Sequence, residues 1–382
     1  MKDNTTYIHK LSNSVSSNHS SVWLQMEKAT TPLVLKPSNI KQLAQSPHLR
    51  FIPSNYVHST NNHDHDDADD ASNSIPILDF SLLTSHHPHQ RSAAIHQLTK
   101  ACQDWGFFMV VNHGIPENLM KAVIDCTHEF FNLPEEEKQE FAGKHVLDPI
   151  RYGTSFNTSK ENIFFWRDYL KVFVHPHFHS PTKPHGYRDI MAEYSEKLRE
   201  VARKLLAGVS ESLGLEESFL DKALDLESGL QIFVGNYYPP CPQPELTMGM
   251  PPHSDHGLLT LLIHNQVGGL QVQHQGKWIN VNALPNSLLV NTGDHLEIFS
   301  NGKYKSNVHR AVVNNKVTRI SVVTAHGPSL ETIVRPASPL MEKENSTSSA
   351  YIPMKYRDYL ELQQSNQLDA KTCLERVKIP RN

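Results

Sequence analysis

The sequence predicts an α+β fold in which an α-rich leading region precedes a double-stranded β-helix, a jelly roll of cupin type, and a C-terminal helix follows. Three observations carry this. Apolar residues recur at helical spacing before about residue 225, short β-branched and aromatic runs alternate with turn signals after about Leu230, and helical spacing returns beyond Tyr351. At 382 residues the chain has room for one large or two moderate domains of about 100–200 residues. The pattern divides it into an N-terminal extension (1–74), an α-rich domain (75–225), a jelly-roll domain (226–330) and a helical tail (331–382).

Residues 1–35 and 58–74 are polar and of low complexity and read as linkers. His63-Asp-His-Asp imitates a metal site, but no apolar flank pre-organises it, so it reads as a solvated acidic run. Between them, Ile40-Lys-Gln-Leu-Ala suggests a short helix and Phe51–Val57 an extended arm. Compact structure is expected from Ile75-Pro-Ile-Leu-Asp-Phe onward. Ile95, Leu98, Cys102 and Trp105 then mark one buried helix face, which Gly106 ends. Phe107-Phe-Met-Val-Val reads as a buried strand, and Leu119–Phe131 as a helix after the turn Asn112-His-Gly-Ile-Pro. Met191, Tyr194, Leu198, Val201 and Leu205 mark a longer helix running toward Gly214.

The β half offers Gln231–Tyr238, Leu258–His264, Leu270–Gln273, Trp278–Val281, Leu288–Asn291, His309–Val313 and Arg319–Ala325. Gln275-Gly276, Asn301-Gly302 and Asn314-Asn315 supply residues that tolerate the left-handed region. Seven or eight strands joined this way suggest a closed double sheet whose interior holds a small site. Tyr351 to about Val377 returns to helix, with Tyr356 and Tyr359 placed to cover the mouth.

With 36 basic against 40 acidic residues the formal charge is −4, which gives no reason to seek nucleic acid or an anionic membrane. Cys102, Cys126, Cys241 and Cys373 lie far apart without a Cys-x-x-Cys pair, as suits reduced thiols. No stretch approaches the ~18 apolar residues of a membrane span, and the N-terminus lacks a secretory apolar core. The first 30 residues are Ser-rich but contain no Arg, which weighs against a transit peptide. A cytoplasmic monomer acting on a small molecule is expected.

In extended chain, residues two apart share a face, so His253 and Asp255 of Pro252-His-Ser-Asp reach into one cavity. A third ligand from another strand would complete a facial set of two histidines and one carboxylate, which leaves three positions open on non-haem Fe(II). His309 begins a β run ten residues before Arg319-Ile-Ser and is the leading choice; His264, His295 and His326 compete with it. Arg319 suits a carboxylate held at a distance from the metal because its planar fork makes two parallel charge-assisted bonds. Ser321, on the same strand face, adds a third contact, and Tyr238 offers a hydroxyl from a neighbouring strand.

The stretch Asn236-Tyr-Tyr-Pro-Pro-Cys-Pro-Gln-Pro-Glu-Leu, then His253-Ser-Asp, resembles the plant 2-oxoglutarate-dependent dioxygenases, the class of anthocyanidin synthase and flavanone 3-hydroxylase. Gly293-Asp-His-Leu-Glu-Ile-Phe-Ser-Asn-Gly-Lys-Tyr-Lys-Ser, His309-Arg and Arg319-Ile-Ser look like the same family in the same order, with 56 residues between His253 and His309. Trp105-Gly-Phe-Phe-Met-Val-Val-Asn-His-Gly-Ile-Pro is similar to the family's α-rich leading domain, and the resemblance covers roughly residues 37–380. It implies His253, Asp255 and His309 as iron ligands, Arg319 and Ser321 as the 2-oxoglutarate clamp, and Tyr238 as a further contact. It also implies Fe(II), 2-oxoglutarate and O₂, with ascorbate as reductant. The implied reaction hydroxylates, demethylates or desaturates a small plant metabolite while 2-oxoglutarate becomes succinate and CO₂.

Two positions depart from the flavonoid-oxidising members. Ala325 stands where they carry a substrate-facing Phe, and Val234 where they carry a Lys. Phe156 and His326 are further candidate lining residues. Two other readings remain: an iron oxidase drawing electrons from ascorbate without 2-oxoglutarate, like aminocyclopropane-carboxylate oxidase, and a non-catalytic small-molecule-binding jelly roll.

Overall fold

The short β-rich runs after Leu230 build two sheets of a jelly roll, and strands from earlier in the chain join the larger one. A computed structural model describes residues 39–58, 75–343 and 349–380. The polar stretches 1–38 and 59–74, with His63-Asp-His-Asp, lie outside the described residues.

The strands of these two sheets are β1 (Ile77–Asp79), β2 (Phe107–Val111), β3 (Ile150–Thr154), β4 (Asp168–His175), β5 (Gln231–Tyr238), β6 (Met250–His253), β7 (Leu259–His264), β8 (Leu270–His274), β9 (Lys277–Asn280), β10 (Leu288–Thr292), β11 (His309–Ala311) and β12 (Arg319–His326). The larger sheet has eight strands in the order β1-β2-β10-β7-β12-β5-β4-β3; the smaller has four, β6-β11-β8-β9. Half of the larger sheet therefore comes from residues 75–175, so hydrogen bonding joins the α-rich segment and the jelly-roll segment across residue 225. Strands β3 and β4 are absent from the expected set, because buried polar Asp168 and Lys171 obscure the alternation of β4.

The long helix forms where the spacing places it, Tyr187–Ser212, with Met191, Tyr194, Leu198 and Leu205 fully buried. Leu213 and Gly214 (φ 71°) end it. Its buried stripe and that of helix Glu117–Asn132 share one core with β5, β7 and β12. Each such side chain contributes about 1.5–3 kcal/mol of burial. Gly235 in the middle of β5 has a packing reason: a Cβ there would stand 2.7 Å from Thr127 Cγ2 of that second helix.

Several expectations shift. The arm at Phe51–Val57 contains a 3₁₀ turn, Ser54–Tyr56, whose buried Tyr56 meets Trp166 edge-on at 5.4 Å. The helix of Ile95 and Leu98 runs Pro88–Lys100 and widens to a π turn at Ala101–Trp105 before Gly106 (φ 61°). Asn314 and Asn315 do not take positive φ; Asn314 Oδ1 instead accepts from the Lys316 and Val317 N–H groups, an Asx turn. Among the described residues the tail forms three helices, Ser338–Lys343, Tyr356–Gln364 and Thr372–Arg376. Tyr356 and Tyr359, expected at the mouth, are not among the residues that line the cavity. Both are fully buried around His295, in the unanticipated helix Asp294–Phe299. The cysteines are free, and among the described residues no helix is long and apolar enough to cross a membrane.

Candidate active site

Antiparallel pairing of β6 with β11 sets His253 directly opposite His309, with ring centroids 4.3 Å apart. Two residues past His253 in extended chain, Asp255 turns to the same side, and its Oδ1 lies 3.7 Å from Nε2 of each histidine. The three ligand atoms all fall within 4.8 Å of one another, as a set of metal donors requires.

Each donor is oriented by a second partner. His253 Nδ1 meets the Pro251 carbonyl at 2.8 Å and His309 Nδ1 the Asn307 carbonyl at 3.3 Å. With Nδ1–H donating to a carbonyl, the Nε2 lone pair is left for the metal. Asn291 Nδ2 donates to Asp255 Oδ2 at 2.9 Å, reserving Oδ1. Burial, then the neighbouring His309, pulls His253 down to about 3, so the ring is neutral near pH 7. Burial alone would raise Asp255. His309 and His253 outweigh it, with the hydrogen bond from Asn291, and hold the carboxyl at about 2. The set is two imidazole nitrogens and one carboxylate oxygen, borderline and hard donors that suit Fe(II).

The clip is fixed from below. The Asp294 N–H donates to the Asp255 carbonyl at 2.8 Å, Ser254 Oγ to Asp294 Oδ2 at 3.2 Å, and Tyr359 Oη to the same Oδ2 at 2.6 Å. Gln363 Nε2 donates to the Ser254 carbonyl at 3.1 Å. The tail therefore positions the metal strand through buried polar bonds rather than through aromatic cover.

The other candidate histidines stand elsewhere. His264 lies opposite Ser321, and its burial, then the charge of Arg319, pushes it down to about 4. His295 packs between the rings of Tyr356 and Tyr359. His326, the last residue of β12, is off the cavity; it lies near Arg199 and His175, and its Nε2 has no partner.

A cavity of about 140 Å³ opens over the donor set, and Phe156, Val234 and Ala325 are among its lining residues. Alternation along β12 aims Arg319, Ser321, Val323 and Ala325 into it. Arg319 is 2 % exposed and pairs with Tyr238 of β5, its guanidinium 5.1 Å over the Tyr238 ring. Burial lowers its pKa and Tyr238 partly restores it. Its Nε has no hydrogen-bond partner, and Asp255 is the sole carboxylate among the lining residues. A buried cation left this way is suited to an incoming carboxylate. Ser321 Oγ accepts from Asn236 Nδ2 at 3.2 Å, which frees its own O–H to donate.

The sequence reading missed Asn291, Asn236, Arg151, Arg167 and Lys171, all of which line the cavity. Asn291 had a signal, a lone amide in the apolar run Leu288-Leu-Val-Asn. Lys171 stands opposite Val234 in the β4–β5 pair, so the cation missing from 234 is present on the adjacent strand.

The description "2OG-Fe(II) oxygenase superfamily" matches residues 229–328, and "non-haem dioxygenase in morphine synthesis N-terminal" matches residues 75–193. A rice protein, 2-oxoglutarate-dependent dioxygenase 19 of Oryza sativa subsp. japonica, is 46% identical over 309 residues, spanning 81% of this chain and 91% of that one. This chain belongs to the 2-oxoglutarate- and iron(II)-dependent oxygenases. Within that family it is 36% identical over 355 residues to oxoglutarate-dependent flavonoid 7-O-demethylase 1 of Ocimum basilicum, covering 90% of this chain and 92% of that protein. The crystal structure of JOX2 in complex with 2OG, Fe, and JA superposes with a TM-score of 0.79 at 30% identity, over 90% of this chain and 98% of that one. The protein is an oxygenase using Fe(II) and 2-oxoglutarate on a jelly-roll core; of the three readings of the sequence, this is the one its relatives support.

Proposed function

We propose that His253, Asp255 and His309 hold the iron, and that Arg319, Ser321 and Tyr238 hold the far carboxylate of 2-oxoglutarate. The enzyme then oxidises a C–H bond of a small plant metabolite seated against Phe156, Val234 and Ala325. The observation that carries this reading is one cavity bearing both the three-donor set and a buried cation without an acid partner. Iron with 2-oxoglutarate and O₂ supplies the oxidising power, and 2-oxoglutarate leaves as succinate and CO₂. The chain's own share is positioning. Carbonyl partners fix the imidazole tautomers, Asn291 fixes the carboxylate, and apolar walls keep water from the reacting carbon.

Hydroxylation, demethylation and desaturation share the removal of a positioned hydrogen. Ascorbate serves as the reductant that keeps iron ferrous. Reduced, mostly buried cysteines suit the proposed cytoplasmic setting, with the enzyme acting as a monomer. The test is incubation with Fe(II), ascorbate, 2-oxoglutarate and a plant metabolite extract. Succinate is expected to match the 2-oxoglutarate consumed, and one metabolite to gain an oxygen, lose CH₂ or lose two hydrogens. Oxidation of a metabolite at the same rate without 2-oxoglutarate would overturn the reading.

Substrate choice should depend on Ala325. It is 8 % exposed and packs with Ile232, Phe173, Tyr356 and Leu360. Ala325→Phe adds a ring in that space, and displacing a substrate by an ångström or so is expected to lower coupled turnover on the order of 10- to 100-fold. The KM for 2-oxoglutarate is expected to change little, since Arg319 is six residues along the strand. Overpacking typically costs about 1–3 kcal/mol, so melting temperature is measured beside turnover. Equal stability and equal turnover would remove residue 325 from the substrate wall.

A further inference from the structure

The cavity wall formed by β3 and β4 carries a pair of cations that the reading above leaves unused. The β3–β4 register sets Arg151 directly across from Lys171, and the β4–β5 register sets Lys171 across from Val234. Both charged residues line the cavity. Like charges facing each other across a strand pair are ordinarily destabilising. Here the pair is also withdrawn from solvent: Lys171 is 6 % exposed, and Arg151 Nε is buried without a partner. The Lys171 ammonium donates to the Val146 carbonyl at 2.8 Å, which leaves its charge unneutralised.

Among the described residues neither cation forms an ion pair with a protein acid. Asp148 is the nearby carboxylate; its charge reaches both Arg151 and Lys171 without pairing with either, and its Oδ2 accepts from the Lys144 and His145 N–H groups at 2.6 and 2.8 Å. Asp255 is committed to the histidines and Asn291. Arg167 also lines the cavity, but its guanidinium lies 4.9 Å over the Tyr169 ring and its Nη1 2.8 Å from Met250 Sδ, off the Lys171–Arg151 rung, so it is not counted with the pair. Burial, then the Arg151 charge, pushes Lys171 down to about 7, a strain that a bound anion would relieve.

That anion is not the far carboxylate of 2-oxoglutarate. Arg319 lies four residues along β12 from the rung of Val323, Val234, Lys171 and Arg151, and β4 and β3 are two and three strands away. At about 3.3 Å per residue and 4.8 Å per strand the separation is roughly 15–20 Å, longer than the molecule. Phe156, Tyr169, Val234 and Val323 line the same cavity as the cation pair and the donor set, together with Arg167, whose charge reaches His253.

The geometry points to Arg151 and Lys171 as the seat of a substrate carboxylate, making the substrate a small carboxylic acid with an apolar body that reaches toward the metal donors. This rests on the cavity being the substrate site of the oxygenase. The guanidinium fork accepts a carboxylate edge-on while the ammonium adds a point charge.

The test uses the full chain loaded with Fe(II) and 2-oxoglutarate in the absence of oxygen, so that calorimetry reads binding without turnover. The probes are trans-cinnamate, 1-naphthoate and cyclohexylacetate, their methyl esters, and benzyl phosphate. At least one acid is expected to bind about tenfold or more tightly than its ester. Lys171→Met and Arg151→Gln are each expected to weaken that acid by about tenfold or more while leaving the ester within about twofold. Arg151→Lys, which keeps the charge, is expected to retain most of the acid's affinity and so separates loss of charge from loss of fold. Acid and ester binding alike, variants weakening both alike, no acid binding, or benzyl phosphate binding more tightly than every acid would each overturn the assignment. If 2-oxoglutarate still binds in those cases and is consumed once oxygen is admitted, the oxygenase reading stands; failure to bind 2-oxoglutarate removes that reading as well.

Discussion

Replacing Asp255 by alanine is expected to abolish iron-dependent turnover while leaving a folded protein. Removing an outer hydrogen-bond partner of a metal site commonly costs about 10–100-fold, so removing the one anionic ligand should cost on the order of 1,000-fold or more in Fe(II) affinity and rate. The two remaining donors are imidazoles, which carry no negative charge to offset that of the dication. The fold should survive because no buried charge is left unpaired. What is orphaned is the Asn291 amide, whose acceptor is Asp255 Oδ2, at a cost of about 1–3 kcal/mol. Equilibrium dialysis with Fe(II) and a thermal melt separate these effects. A folded variant that still binds iron tightly and consumes 2-oxoglutarate would show that Asp255 is not a ligand.

The site was legible where chemistry and local spacing coincide. His253 and Asp255 are two residues apart, Arg319 and Ser321 likewise, and strand alternation suffices to aim each pair. What could not be read was anything set by register. Arg151 and Lys171 are neighbours only because β3 and β4 pair, and β4 hides its strand character behind buried polar residues. Asp168 shows why such residues are tolerated there. Its carboxyl, pushed up to about 6 by burial, accepts from the Ile40 and Lys41 N–H groups and from Thr154 Oγ1, partners as far as 128 residues away. The same holds for the helix Asp294–Phe299. Asp294, His295 and Glu297 are all buried in it, held by Tyr359, Gly257 and Tyr351, so its composition argues for a surface loop while tertiary hydrogen bonds keep it inside. The misplacement of Tyr356 and Tyr359 over the mouth follows from that gap, since the helix they pack on was not anticipated.

Arg319→Lys is expected to raise the KM for 2-oxoglutarate by roughly 30- to 1,000-fold, the equivalent of about 2–4 kcal/mol for a charge-assisted bidentate contact in a partly dry site. Charge is conserved by this substitution, so the effect isolates geometry. The guanidinium lies 5.1 Å over the Tyr238 ring, and that stacking holds the fork in one plane. An ammonium has no plane to stack and presents a point charge at one carboxylate oxygen. Ser321 cannot compensate, because it supplies a single O–H while its oxygen is engaged by Asn236. Ser321→Ala should accordingly move the same KM in the same direction by a smaller step, on the order of tenfold, the lower end for one hydrogen bond to a charged group. Turnover at saturating 2-oxoglutarate should fall less than kcat/KM in both variants, since the contact is made in the ground state as well as the transition state. An unchanged KM in a folded Arg319→Lys protein would mean that the far carboxylate is held elsewhere. The remaining lining cations would then have to serve 2-oxoglutarate, and the assignment of Arg151 and Lys171 to a substrate acid would fall with it.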